Sequence, residues 1–75
     1  MKISSESKVV LFQYGEEFFD AYVDVIFVSE DMHASVEDVE IRYVEDMDGN
    51  ILTDIPPDME EIIVWKAKNG EYVNG

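Results

Sequence analysis

The chain has 75 residues, no cysteine, and a formal net charge of −13 from 18 acidic and five basic residues. A chain of this length has room for one core, and without cysteine no disulfide can support that core. Its 47% hydrophobic and 12% aromatic content excludes a disordered acidic tail, which lacks the apolar residues that a core needs. We therefore expect one acidic domain over residues 1–75.

The first two predicted elements are strands that form a hairpin. Residues 8–14 (KVVLFQY) are rich in β-branched and aromatic side chains and are followed by a Gly15-Glu16 turn. In residues 18–28 the odd positions are apolar and several even positions are polar. This alternation predicts an antiparallel strand with one buried and one wet face. The wet face is predicted to carry Asp20, Tyr22 and Asp24.

Residues 29–35 (SEDMHAS) predict a polar connection, and the alternation then resumes over residues 38–45. One predicted face holds Val39, Ile41 and Tyr43, and the other holds Asp38, Glu40 and Arg42. A helix over residues 35–47 is the alternative, because the start resembles a capping box and the apolar spacing also fits a helix. We predict the strand, because residues 46–50 (DMDGN) are typical of a turn.

The last third of the chain also allows two interpretations. Residues 62–65 (IIVW) predict a strand because the run is β-branched and aromatic, and Asn69-Gly70 predicts a hairpin turn into residues 71–73. A helix over residues 58–68, ended by glycine and with lysines in its last turn, is the alternative.

The predicted fold class is mainly β, a small antiparallel sheet of about four to six strands with at most one short helix. An α+β fold with a helix at 58–68 or 35–47 is the alternative. Charged side chains protect most predicted sheet edges, but the strand over residues 8–14 is less protected. This open edge predicts that two copies pair through it as a two-fold homodimer.

The acids are concentrated in the middle of the chain, where the segment Glu16–Glu61 holds sixteen acids and one base, Arg42. A net charge of magnitude about 2–8 keeps a small domain soluble, so the excess predicts a surface for a basic partner. Tyr22, between two aspartates, is a candidate interface anchor. The predicted partner-binding residues are Glu16, Glu17, Asp20, Tyr22, Asp24, Glu30, Asp31, Asp38, Glu40, Glu45, Asp46 and Asp48.

Small size, absence of cysteine, excess acidity and an aromatic-rich core together resemble the phage-encoded acidic proteins that mimic DNA. The resemblance covers the charge pattern of the whole chain, contains no diagnostic motif, and assigns no role to an individual residue. It implies an inhibitor that occupies the DNA-binding surface of a basic host protein, for example a nucleoid protein such as HU. The alternatives are an adaptor or inhibitor of RNA polymerase, a restriction enzyme or a CRISPR effector without DNA mimicry, and an acidic accessory protein without a specific basic partner.

Other functional classes find little support in the sequence. Asp46-x-Asp48-Gly49-Asn50 resembles the start of a calcium loop, but Ile51 and Pro57 occupy the positions that require glycine and glutamate. The chain has one histidine, His33, and no serine in a nucleophile motif. We therefore predict no enzyme activity, no catalytic residue, no metal and no cofactor.

Location and ligand class follow from the same composition. We see no signal peptide, and no apolar run approaches the roughly 18 residues of a membrane-spanning segment. The negative charge disfavours direct binding to nucleic acid or to anionic membranes. We expect a cytoplasmic protein, in the host cell if it is phage-encoded.

Overall fold

Four antiparallel strands and one helix make up the fold, and the computed structural model describes all residues from 1 to 75. The elements are β1 (Lys2–Tyr14), β2 (Glu17–Glu30), β3 (His33–Asp46), α1 (Pro57–Lys68) and β4 (Val73–Asn74). The strands lie in one open sheet in the order β3-β2-β1-β4. The predicted mainly β class, with a small antiparallel sheet and one short helix, is confirmed.

Two tight turns join the three long strands. Strands β1 and β2 are connected by Gly15-Glu16, with Gly15 at φ 66°, which is the geometry of a type II′ turn. This hairpin was predicted and is confirmed, although both strands are longer than the sequence indicated. The predicted polar connection over residues 29–35 is wrong. Strands β2 and β3 meet at a two-residue type I′ turn, Asp31-Met32, whose φ angles are 50° and 71°.

The Met32→Gly substitution at this turn is expected to stabilise the protein. Met32 is fully exposed, so its removal loses no packing, and an L-residue in the left-handed region costs roughly 1–2 kcal/mol. Glycine loses more backbone entropy on folding, so the net gain should be about 0.5–1 kcal/mol. Urea unfolding of both proteins measures it. A less stable variant would contradict the type I′ geometry.

Strand β3 confirms the predicted strand and excludes the helix over residues 35–47. Its inward apolar residues, however, are spaced by three, two and three: Val36, Val39, Ile41 and Val44. The register with β2 shifts at two places, where Glu37 and Arg42 are extra residues on β3 and form β-bulges. The predicted face of Tyr43 is therefore wrong. Beyond the Arg42 bulge, Val44 is buried and Tyr43 lies on the opposite face.

Residues 57–68 form helix α1, so the predicted strand at 62–65 is wrong and the helical alternative is correct. Pro57 occupies the first turn, where a missing N–H costs nothing. Acidic side chains in the first turn and lysines in the last complement the helix dipole. Only Met59, Ile63 and Ala67 are fully buried. This narrow helical stripe is hard to recognise in the sequence because other apolar residues surround it.

The chain leaves α1 through Gly70, which adopts φ 75°. It then forms β4, which pairs with Lys8 and Val9 of β1. The predicted hairpin at Asn69-Gly70 is therefore wrong, because the turn joins a helix to an edge strand.

Helix α1 packs on one side of the sheet, here called the inner face, and the opposite side is called the outer face. The core consists of Val10, Phe12, Phe19, Ala21, Val23, Val25, Val39, Val44, Met59, Ile63 and Ala67. The Tyr14 hydroxyl donates to the Asp58 carboxylate at 2.8 Å and joins the end of β1 to the start of α1.

The molecule is elongated, with extents of 42 × 19 × 18 Å. Strands of 13 and 14 residues are about 45 Å long, whereas a helix of 12 residues spans about 18 Å. The helix therefore covers only part of the inner face, and it is too short to cross a membrane.

Candidate protein-binding face

The outer face is built from residues that alternate with the core residues along the three long strands. Cross-strand partners lie on the same side of a sheet, so the strand register assigns each residue to a face. Within β2, the predicted wet positions all lie on the outer face. The register places Asp20 opposite Glu45, Tyr22 opposite Tyr43, Asp24 opposite Glu40, and Ile26 opposite Asp38.

Two pairs of acids, Asp20 with Glu45 and Asp24 with Glu40, therefore stand directly opposite each other. Between them Tyr22 and Tyr43 stack with ring centroids 4.5 Å apart and planes 17° apart. Like charges directly opposite on a sheet destabilise it. The outer face thus carries four carboxylates around an aromatic pair, at a cost to the stability of the fold.

Local contacts hold two of these four carboxylates, Glu45 and Asp24, in place. The Tyr22 hydroxyl donates to Glu45 Oε1 at 2.9 Å, and Ser7 Oγ donates to Asp24 Oδ1 at 3.1 Å. Arg42, the bulge residue, places Nη1 3.5 Å from Asp24 Oδ2. The Arg42 side chain is well exposed, whereas the Asp24 side chain is only 21% exposed, so this ion pair partly neutralises a carboxylate that is already largely covered.

No family model, curated protein or solved structure matches the chain.

The hydrogen bond to Glu45 raises the pKa of Tyr22 above 10.0, and burial and the neighbouring negative charge act in the same direction. A raised folded-state pKa means that this contact supports the fold below pH 10 and is lost as the pH rises through that pKa. The Glu45→Gln substitution is expected to lower the pKa of Tyr22 towards 10.0. A pH titration of the tyrosine ring signals by NMR measures it, and an unchanged pKa would contradict the contact.

Four other predicted residues lie at the end of the sheet nearest the first turn. Glu16, Glu17, Asp46 and Asp48 surround a shallow open cleft of about 300 Å³. No group of three acidic or histidine side chains converges closely enough to hold a metal ion.

Asp46 differs from the other predicted acids because it organises its own turn. Its carboxylate accepts the N–H groups of Asn50 and Asp48, both at 2.9 Å. The bond from Asn50, foremost among these contacts, holds the pKa of Asp46 below 3.8. This carboxylate is therefore occupied by backbone groups of its own turn, whereas Asp24 and Glu45 on the outer face contact side chains of neighbouring strands.

Glu30 and Asp31 lie next to each other at the turn between β2 and β3, away from the other predicted residues. Glu30 ends β2 and pairs with His33, and both acids are exposed. Since Glu30 lies six residues beyond Asp24, it is about 20 Å along the strand from it. The predicted set thus separates into the outer face, one end of the sheet and the opposite tip.

An apolar patch beside Asp20 was not predicted. Leu11, Phe18 and Met47 are 55%, 56% and 64% exposed and line an open cleft of about 300 Å³. The alternation of the strands could have indicated this patch, because Leu11 and Phe18 are adjacent to the buried Phe12 and Phe19 and therefore lie on the opposite face of the sheet.

Proposed function

We propose that the protein is a DNA-mimic inhibitor, which occupies the basic nucleic-acid-binding surface of a host protein and blocks its access to DNA. A nucleoid protein of the HU type is the proposed target class. The proposal includes a cytoplasmic site of action and, from the resemblance in charge pattern, a phage origin.

The observation that supports the proposal is the arrangement of two carboxylate pairs on the outer face, Asp20 with Glu45 and Asp24 with Glu40. Same-face residues along a strand are about 6.8 Å apart, which is roughly two base-pair steps of DNA. Asp20 and Asp24 are therefore separated by about four such steps, and each has a second carboxylate beside it on β3. Charges at fixed, repeated positions are what a phosphate-binding surface is built to receive.

The wider charge distribution supports the same partner class. Strands β2 and β3 together carry nine acids and one arginine. A field of this sign accelerates encounter with a basic surface and makes the binding depend on salt. The stacked tyrosines add a rigid aromatic contact at the centre of the face, where interface energy is usually concentrated.

A competition assay tests the proposal. A purified HU-type protein is bound to a fluorescent DNA duplex, and the protein is titrated in at low and at moderate salt while anisotropy is followed. We expect displacement of the duplex, with less displacement at the higher salt. Polyglutamate at the same total charge is the control, since it is polyanionic but has no fixed carboxylate positions.

Absence of displacement at both salt concentrations would contradict the assignment to this target class. Equal displacement by polyglutamate would show that charge alone acts and would contradict mimicry by a folded surface.

The apolar patch favours a second candidate function, that of an adaptor which binds a partner without DNA mimicry. Leu11, Phe18 and Met47 form an exposed apolar group with acids at its edge, as in many protein interfaces. Binding through this patch would change little with salt and would be weakened by Met47→Ser. Neutralising the opposed acid pairs would then have little effect.

A further inference from the structure

The edge of β1 is only partly covered. Strand β4 pairs with Lys8 and Val9, and the Gly75 N–H donates to the Ser7 carbonyl at 3.3 Å. Alternate residues of an antiparallel strand direct their backbone groups to the same edge. Ile3 and Ser5 therefore direct their N–H and C=O groups to the same side as Ser7, where no strand covers them.

The two edges of the sheet differ in charge. Strand β3, at the opposite edge, carries five acids and is interrupted by two bulges. Charged side chains and bulges both oppose pairing of a strand edge with another chain. Strand β1 is the one long strand without an acidic excess, because it holds Lys2, Glu6 and Lys8.

We propose that the open edge of β1 pairs with the same edge of a second copy, antiparallel about a two-fold axis at Ser4. In this register Ile3 and Ser5 of one copy exchange backbone hydrogen bonds with Ser5 and Ile3 of the other. Lys2 of each copy lies opposite Glu6 of the other, so two complementary charge pairs form by symmetry, each beside the ion pair that Glu6 makes with Lys8 of its own chain at 3.3 Å.

Charge and space both select this register. Centring the axis on Ser5 would place Lys2 opposite Lys8 and would bring residues 1–3 of the second strand against β4 and Gly75, whereas centring it on Ser4 brings only Met1 to Ser7. Centring it on Ile3 would leave Lys2 opposite Ser4 without a charge partner. The pairing at Ser4 is thus the one that joins opposite charges on an otherwise strongly anionic molecule.

The dimer would contain a continuous six-stranded sheet in the order β3-β2-β1-β1-β2-β3. A two-fold axis between antiparallel strands is perpendicular to the sheet, so both outer faces lie on the same side. The opposed acid pairs of two copies would then form one longer surface, with both helices on the other side. This inference depends on the β1 edge and not on the identity of any partner.

Ser4→Cys gives the sharpest test, because the chain has no cysteine of its own. Residues facing each other across the axis in a non-hydrogen-bonded pair have Cα atoms about 4.5 Å apart, which allows a disulfide. We expect rapid oxidation to a covalent dimer at micromolar concentration. Ser35→Cys, exposed on β3, is the matched control and should cross-link far more slowly. Equal rates for the two variants would overturn the proposal.

Charge exchange tests the register independently. Lys2→Glu and Glu6→Lys each place like charges opposite one another and should weaken dimerisation about tenfold, whereas the double exchange should restore it. Sedimentation equilibrium measures the dimer at twice the 8.6 kDa chain mass, and circular dichroism verifies folding. A wild-type protein that remains at 8.6 kDa throughout the micromolar range, or a double variant no better than the single ones, would overturn the proposal.

Discussion

The Ile63→Ala substitution is expected to destabilise the protein by about 2–5 kcal/mol, the usual cost of removing a large aliphatic side chain from a core. Ile63 is completely buried at the middle of the stripe by which α1 contacts the sheet. A single core of this size supplies only about 3–5 kcal/mol, so the variant should lose most of its stability. Urea unfolding followed by circular dichroism measures the loss.

Trp65→Ala is the matched control on the same helix. Trp65 is 59% exposed, so its replacement should change the free energy of unfolding by about 0.5 kcal/mol or less. In a strand, residues 63 and 65 would share a face, and both substitutions would then be costly. Similar losses for the two variants would contradict the packing of α1 on the sheet.

Neutralising both opposed acid pairs is expected to weaken DNA displacement about 100-fold. The variant carries Asp20→Asn, Asp24→Asn, Glu40→Gln and Glu45→Gln, which keep the side-chain shapes and remove four charges. Losing roughly 0.7 kcal/mol at each position would produce this change, since about 1.4 kcal/mol is tenfold in affinity. Stability should change little, because removing the opposed like charges offsets the weaker contacts of Glu45 with Tyr22 and of Asp24 with Arg42. Competition anisotropy at low salt and urea unfolding measure the two effects.

A second variant separates the outer face from total charge. Asp54, Glu60, Glu61 and Glu71 are exposed residues outside the predicted binding set, and their amide substitutions also remove four charges. Glu71 loses an ion pair with Lys66 at 3.7 Å, which is a surface contact of small effect. This variant should retain most of its DNA displacement. Equal weakening of the two variants would show that the opposed pairs have no special role.

The strand whose apolar residues alternate regularly is the one that was predicted correctly from the sequence. The odd positions of β2, from Phe19 to Val25, are all buried, so its alternation directly reflects its two faces. In β3 the same rule failed beyond Arg42, because each bulge adds a residue and reverses the alternation. The apolar spacing of three, two and three contained that information, but it also fitted a helix.

Helix α1 was mispredicted for an energetic reason. The run of residues 62–65 is β-branched and aromatic and favours a strand locally, whereas the helix is stabilised by burying Met59, Ile63 and Ala67. Tertiary packing thus outweighed local preference. The glycine at position 70 correctly indicated the end of the helix, and Pro57 lies in its first turn.

The sequence could predict which acids belong to the candidate site, but not which acids lie opposite each other on neighbouring strands. Asp20 and Asp24 were assigned to one face by alternation alone, whereas their positions opposite Glu45 and Glu40 depend on register. A slip of one residue moves every side chain of a strand to the other face. The register here begins at the Asp31-Met32 turn, and that turn lacks the glycine that usually identifies a two-residue hairpin.

The bulges of β3 also have a consequence for self-assembly. A flat strand of 14 residues at the edge of a sheet is a template on which further chains can add, leading towards fibrils. Glu37 and Arg42 interrupt the even spacing of hydrogen-bonding groups that such a template requires, and each places a charge at the interruption. Deleting both residues would give a straight, regular edge, and the four remaining acids of β3 would then be the main barrier to the addition of further chains.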